Sequence, residues 1–189
     1  MFTGIIEAVG HLTHIEANKQ GAKVTIACDH LDMSDVQLGD SIASNGVCLT
    51  VVKFTPKYFI ADLSSETLNN TGFKFYKKGQ AINLEKAMLA TTRFGGHMVS
   101  GHVDTLAQVQ HIEQQGNSTD FYISLAPSIA PYVAHKGSIT IDGVSLTVND
   151  VYDDKFRLTI VPHTQQQTII AHYKVGDKVN LEVDVVARY

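Results

Sequence analysis

Two short segments carry most of the groups able to act on a ligand. Cys48 and Thr50 alternate with Val47, Leu49 and Val51, and Ser145 and Thr147 alternate with Val144, Leu146 and Val148. In an extended chain this spacing puts the thiol and hydroxyls on one face and the apolar side chains on the other. Cys48 by itself reads as a small, half-buried contact residue, and Ser145 at the matching place shows that no thiol is needed in both segments. Proton transfer would fall to histidine, the side chain whose ordinary titration lies near neutrality. His97 and His102 frame a short apolar stretch, but five residues apart in a strand they would face opposite ways. With no cysteine or carboxylate cluster beside them, a metal site is not expected. His97 therefore reads as a junction residue, and His102 is the candidate base. Asn45 and Asp142 each precede a glycine between two strand-like runs, so both belong first to hairpin turns, with a function of the Asp142 carboxylate added to the turn. No serine sits in a nucleophile elbow, and neither a phosphate loop nor a dinucleotide fingerprint is present.

The elements that hold these groups are written twice. Residues 41–51 return as residues 138–148, a shift of 97 (138 − 41) that also pairs Met1 with Met98, Gly4 with Gly101, Thr67 with Thr164, and Asn83-Leu84-Glu85 with Asn180-Leu181-Glu182. A duplication kept in register implies two like-folded modules. The boundary is expected near the Gly95-Gly96 pair, giving an N-terminal domain over 1–94 and a C-terminal domain over 95–189. Short β-branched and aromatic runs predict strands over 24–27, 47–52, 58–63, 121–125, 144–149 and 156–161. Short helices are expected over 65–70 and 162–171, with a helical turn or two over 85–90. The fold class is all-β, with a closed or nearly closed antiparallel barrel in each half.

If Val47, Leu49, Val51, Phe59, Ala61 and Leu63 fill one barrel, Cys48, Thr50, Ile60, Asp62 and Ser64 face outward. In the other, Phe156, Leu158 and Ile160 point in, and Arg157, Thr159 and Val161 point out. Each barrel then carries an outer groove suited to a neutral, hydrogen-bonding, partly aromatic ligand. His102 stands where the first copy has Ile5, so two copies of one ligand could meet different chemistry.

With 15 Lys and Arg against 19 Asp and Glu, scattered along the chain, the formal charge of −4 excludes a basic face for nucleic acid or an anionic membrane. Two cysteines, Cys28 and Cys48, with no counterparts in the second copy, argue against a disulfide scaffold. No signal peptide and no apolar run of spanning length is visible, so a cytoplasmic protein is expected.

The opening Met1-Phe2-Thr3-Gly4-Ile5-Ile6-Glu7, the 41–51 segment, Gly95-Gly96-His97-Met98-Val99-Ser100-Gly101-His102, Lys136-Gly137-Ser138-Ile139, the 142–148 segment and Pro162-His163-Thr164 together resemble the riboflavin synthase family, alpha-chain type. The resemblance spans the whole chain. It implies two six-stranded Greek-key barrels and a dismutation of two 6,7-dimethyl-8-ribityllumazine molecules. A four-carbon unit passes from one to the other, giving riboflavin and 5-amino-6-ribitylamino-2,4(1H,3H)-pyrimidinedione, with no cofactor and no metal. It also implies a homotrimer in which the N-barrel of one subunit meets the C-barrel of its neighbour, and an association with lumazine synthase. Family members continue past the position of Tyr189 into a C-terminal helix that helps assemble the trimer, whereas this sequence stops at Tyr189.

Carried onto this chain, the resemblance places Ser41, Cys48, Thr50, Asp62, Ser64 and Thr67 at the N-barrel site. It places Ser100, His102, Lys136, Asp142, Ser145, Thr147, Thr159, Val161 and Thr164 at the C-barrel site, with Asp184 close by. Gly4, Ile6 and Gly101 join the substrate-binding set. His102 is expected to move the proton of the C7-methyl group, and Ser145 or Cys48 to position or supply the group adding at C7, oriented by Asp142 and Asp184. The rival reading is a non-catalytic lumazine- or flavin-binding antenna protein of the same fold. The presence of Ser100, His102, Lys136, Asp142, Ser145, Thr147 and Thr164 favours the enzyme.

Overall fold

A computed structural model describes the backbone of residues 1–189 and all side chains but that of Asn18. The first barrel is built from β1 (Ala8–Asn18), β2 (Gly21–Ala27), β3 (Ser41–Ser44), β4 (Val47–Thr55), β5 (Tyr58–Ser64) and β6 (Ala81–Lys86). It closes in the order β1-β2-β5-β4-β3-β6, antiparallel throughout. The second uses β7 (Thr105–Gln115), β8 (Ser118–Ser124), β9 (Ser138–Ile141), β10 (Val144–Val151), β11 (Lys155–Ile160) and β12 (Lys178–Val183) in the equivalent circular order. In each, three strands run as a meander and the last strand returns to close on the first, the Greek-key path that the family resemblance implied.

Alternation fixes which face is inside. Val47, Leu49 and Val51 of β4 and Phe59, Ala61 and Leu63 of β5 are buried, as are Val144 and Val148 of β10 and all three inward residues of β11. Cys48, Thr50, Asp62 and Ser64 stand on the outer face, half-buried or exposed. The pairing of β4 with β5 slips between Val51 and Lys53, and that of β10 with β11 between Val148 and Asp150. These bulges bend both outer grooves at the same place.

Helix α1 (Ser65–Asn70) forms where expected, with the Ser64 hydroxyl accepting from Thr67 N at 3.0 Å as its cap. The expected helix over 162–171 is shorter: α2 (Pro162–Gln167) ends, and Thr168 caps a separate 3-10 turn over Ile169–His172. Ile169 and Ile170 are both buried, and the break turns them inward. Residues 85–90 do not make a helical turn, because Glu85 and Lys86 belong to β6. Ile82 and Leu84 fill the barrel, while the alternate residues Asn83 and Glu85 are also buried, under the second barrel and the N-terminal segment. Burial on both faces hides the period-2 pattern there. A four-residue helix, α3 (Val185–Arg188), follows β12. Among the described residues no helix is long and apolar enough to cross a membrane.

The barrels meet about a pseudo-twofold axis through their two hairpin tips. A Cβ on Gly46 would lie 2.7 Å from Gly143 N, and one on Gly143 would lie 2.7 Å from Gly46 N. Around these glycines the side chains of Asn83 and Asn180 reach across, Asn83 Nδ2 to Asp142 O at 3.0 Å and Asn180 Nδ2 to Asn45 O at 2.8 Å. The segments leading into the barrels then run side by side, Phe2 pairing with Val99. Each of these leaders crosses onto the opposite barrel: Gly4 O accepts from Ser145 N at 2.8 Å, and Gly101 O accepts from Cys48 N at 2.9 Å.

Candidate active site

The crossing of the leaders decides which residues share a groove. On the N-barrel, a hollow of about 250 Å³ is lined by Cys48, Glu66, Thr67 and Thr71 together with Gly101, His102 and Val103 of the second leader. His102 is exposed there, lining the same hollow as Cys48. Ser64 and Thr67 share a hydroxyl–hydroxyl bond of 3.0 Å at the mouth of α1. Asp62 stands further along β5, paired with Lys23 at 3.0 Å. Sequence reasoning expected His102 and Ser100 with the C-barrel residues; the structure sets His102 on the N-barrel face instead. The Ser100 hydroxyl is turned to Glu182, donating to its Oε1 at 2.6 Å.

On the C-barrel, Ser145 faces the first leader. Gly4 lies against it, and Ile6 packs on the second barrel's core. The group that touches Ser145 is His97, whose Nδ1 is 2.7 Å from the serine Oγ. His97 is buried, and burial lowers its imidazole below the usual value, with the opposing charge of Asp184 raising it. A neutral ring can accept the serine proton on Nδ1 while Nε2 carries its own hydrogen. Nε2 has no hydrogen-bond partner among the described residues. Gly96 makes the approach possible, because a Cβ there would sit 2.0 Å from Thr3 O and 2.9 Å from Ser145 Cβ. Serine and histidine thus meet without any nucleophile elbow, a pairing that sequence reasoning missed. His97 lies one residue before the second copy begins, so comparing the two halves gives it no counterpart and no signal.

Thr159 is held firmly on the same face. Its hydroxyl is 2.6 Å from Asp120 Oδ1 and 3.1 Å from Arg157 Nη1, and its N–H donates to Asn149 Oδ1 at 2.8 Å. Asp120 is buried and also accepts from Arg157 at 2.7 Å, while Arg157 pairs in addition with Asp150. With its proton committed to the carboxylate, Thr159 presents only a lone pair outward, so the groove there takes a donor. Thr147 is exposed, Thr164 is half-buried in α2, and Val161 is 52% exposed. Val161 replaces the Ser64 cap of the other copy, and α2 has no side-chain cap.

Other expected residues lie elsewhere. Asp142 is buried on the pseudo-twofold axis, its Oδ1 accepting from Asn180 N at 2.8 Å and its Oδ2 from the Tyr173 hydroxyl at 2.5 Å. Burial pushes this carboxyl up to about 7, against the lowering effect of those two donors. It therefore does not orient Ser145, a correction that follows from the tip-to-tip packing of the hairpins. Asp142 instead borders a hollow of about 480 Å³ between the barrels, with Asn45, Tyr76 and Tyr173, which contains no other residue of the expected set. Asp184 keeps a local duty as the cap of α3, accepting from Val186 N at 3.0 Å. Ser41 borders a separate hollow with Asp35 and Lys86. Lys136 is exposed in a left-handed turn (φ +63°), its N–H donating to Val148 O at 2.8 Å. No group of His, Cys, Asp and Glu able to hold a metal occurs among the described residues.

Two tandem barrels of equivalent strand order define a duplicated module, and comparison with known proteins identifies its kind. The lumazine-binding domain model matches twice, over residues 3–87 and 100–184. Riboflavin synthases of Photobacterium phosphoreum, Photobacterium leiognathi and Bacillus subtilis are 58%, 48% and 43% identical over all of this chain and 87% of their own length. Solved structures of LumP bound to riboflavin and to 6,7-dimethyl-8-(1'-D-ribityl) lumazine share the fold at TM-scores of 0.87 and 0.85, with 24% identity over 97% of this chain and 99% of theirs. The chain belongs to the riboflavin synthase family of lumazine-binding proteins.

Proposed function

We propose that this enzyme is a riboflavin synthase, a transferase that dismutates two 6,7-dimethyl-8-ribityllumazine molecules into riboflavin and 5-amino-6-ribitylamino-2,4(1H,3H)-pyrimidinedione. The reaction balances without an outside oxidant or reductant, since the carbons one lumazine gains are those the other gives up. It needs two ring sites of matching shape and unequal chemistry. The observation that supports the proposal is the pseudo-twofold placement of two unlike sets, Cys48 and His102 lining a hollow on one barrel and Ser145 bonded to His97 at the matching place on the other.

Ser145 with His97 supplies an oxygen able to add at C7 and a base to receive its proton, with Asp184 favouring the imidazolium. His102, exposed in the N-barrel groove, serves the proton of the C7-methyl group, and Cys48 lies against the same ring. Gly4, Ile6, Thr147, Thr159, Val161 and Thr164 make up the rest of the C-barrel contacts. Gly101, Thr50, Asp62, Ser64 and Thr67 complete the N-barrel set. Alignment of two bulky rings contributes much of the acceleration, on the order of 7–11 kcal/mol for a well-placed pair. In a homotrimer the N-barrel groove of one chain faces the C-barrel groove of the next, and the exposed Ile5, Phe94, Met98 and Val161 suit burial there. Docking with lumazine synthase and a cytoplasmic setting complete the reading.

Turnover of the lumazine by Cys48→Ala, Ser145→Ala and His97→Gln variants tests the assignment. Loss of riboflavin formation of about a hundredfold is expected for His97→Gln. Wild-type rates in both Ser145→Ala and His97→Gln would remove the C-barrel groove from the chemistry. A protein that binds the lumazine tightly and never converts it is an antenna protein instead.

A further inference from the structure

Two buried carboxylates have no part in the chemistry proposed above. Glu85 in β6 and Glu182 in β12 occupy the same place in their barrels and are 4% and 3% exposed. Each grips the leader of its own barrel with the same three bonds. Glu182 Oε1 accepts from Ser100 N at 2.7 Å and Ser100 Oγ at 2.6 Å, and its Oε2 accepts from Gly101 N at 3.0 Å. Glu85 Oε1 accepts from Thr3 N and Thr3 Oγ1, both at 2.7 Å, and its Oε2 accepts from Gly4 N at 2.9 Å. Three donors converge on each group, and an ionised carboxylate answers all of them. Burial pushes both acids above the usual carboxylate range while the three donors hold them down.

The grips are alike, but the residues they place are not. Just beyond Gly101 comes His102, and just beyond Gly4 comes Ile5. The far side of each leader is tied to the opposite barrel, through Gly101 O to Cys48 N and through Gly4 O to Ser145 N. A leader is thus fixed from two sides, by a carboxylate of one barrel and a backbone N–H of the other.

We infer that Glu182 is a positioning residue for the N-barrel groove, setting His102 against Cys48 and Thr67 from the opposite barrel, and that Glu85 does the same for Ile5 and Ile6 at the C-barrel groove. The inference rests on the reading that these grooves hold the ring ligands. A glutamine at either place turns one acceptor into a donor facing another donor, and the leader must shift. Pseudo-symmetry makes each variant the control for the other. Glu182→Gln and Glu85→Gln lose the same grip and cost similar stability, yet they disturb different grooves.

Cys48 makes this readable. It is half-buried in the N-barrel groove, whereas Cys28 is fully buried with its thiol pushed up to about 11 by burial and then by Asp29. An aromatic disulfide reagent therefore labels Cys48 first, and riboflavin in the N-barrel groove slows the labelling. In Glu182→Gln the riboflavin concentration giving half-protection is expected to rise about tenfold or more, the scale of one lost charge-assisted hydrogen bond. In Glu85→Gln it stays within about twofold, while the thermal midpoints of the two variants fall alike. Ser100→Ala and Thr3→Ala each remove one of the three bonds and repeat the comparison at smaller size, should either glutamine variant fail to fold. Equal shifts within a pair, or no shift in Glu182→Gln and Ser100→Ala, overturn the inference while leaving the grooves as ligand sites. If riboflavin does not protect Cys48 in the unsubstituted chain, the groove reading itself falls and takes the inference with it.

Discussion

Replacing Asp142 by asparagine isolates one charge at the centre of the molecule. Its carboxyl is raised from 3.8 to about 7, first by burial, so the folded protein holds the proton more tightly than the unfolded chain. The stability this group contributes is complete below pH 4 and is lost as the pH rises through 7. A rise of that size is worth about 4 kcal/mol. The first barrel shows what an asparagine does in this turn: Asn45 Oδ1 accepts from Asn83 N at 2.7 Å, and its Nδ2 donates to the Tyr76 hydroxyl at 2.9 Å. In Asp142→Asn the same two bonds would run to Asn180 and Tyr173. The variant should match the parent near pH 4 and exceed it by about 4 kcal/mol at pH 8, a gain of roughly 8–16 °C in thermal midpoint for a chain of this size. Midpoints measured by circular dichroism from pH 4 to 8 test the slope, and lumazine turnover should stay within about twofold because Asp142 does not reach Ser145. A gap between the two proteins that does not change with pH, or a tenfold loss of turnover, would refute the reasoning.

Other perturbations follow from single contacts. Gly96→Ala puts a Cβ 2.0 Å from Thr3 O, so the N-terminal leader should be displaced from Ser145 and turnover should fall more steeply than the thermal midpoint. Gly46→Ala at φ +76° pushes directly on Gly143, and an unfolding midpoint equal to the parent's would contradict the tip-to-tip packing; a loss of about 2 kcal/mol or more is expected. Asp120→Asn leaves one acceptor where the two carboxylate oxygens take Arg157 and Thr159 separately, and it removes the charge facing Arg157, with an expected cost of about 1–3 kcal/mol in denaturant unfolding. Riboflavin should then bind the C-barrel groove more weakly, while its protection of Cys48 is unchanged.

The barrels were legible because their signals are local. Alternation in β4, β5, β10 and β11 and the two Asx-Gly turns are each written within ten residues, and the second copy repeats them. What escaped the sequence depends on where the leaders go. A strict reading of the repeat assigns His102 to the barrel it precedes in the chain, yet its leader lies across the other barrel's Cys48. His97 was passed over for a related reason, since its partner Ser145 is 48 residues away and no spacing rule links them. Asp142 misled in the opposite way, a carboxylate near a serine in sequence whose side chain turns to the axis. The buried Glu85 also defeated the helical expectation over 85–90, because the segment that covers it, at Thr3 and Gly4, is distant in the chain.

The most direct test of the central claim is the stoichiometry of the purified protein acting on 6,7-dimethyl-8-ribityllumazine with oxygen and reductants excluded. Two unequal grooves acting on two identical rings predict one riboflavin and one pyrimidinedione for every two lumazines consumed. Lumazine that stays bound and unconverted, or riboflavin formed without an equal amount of the pyrimidinedione, would contradict it.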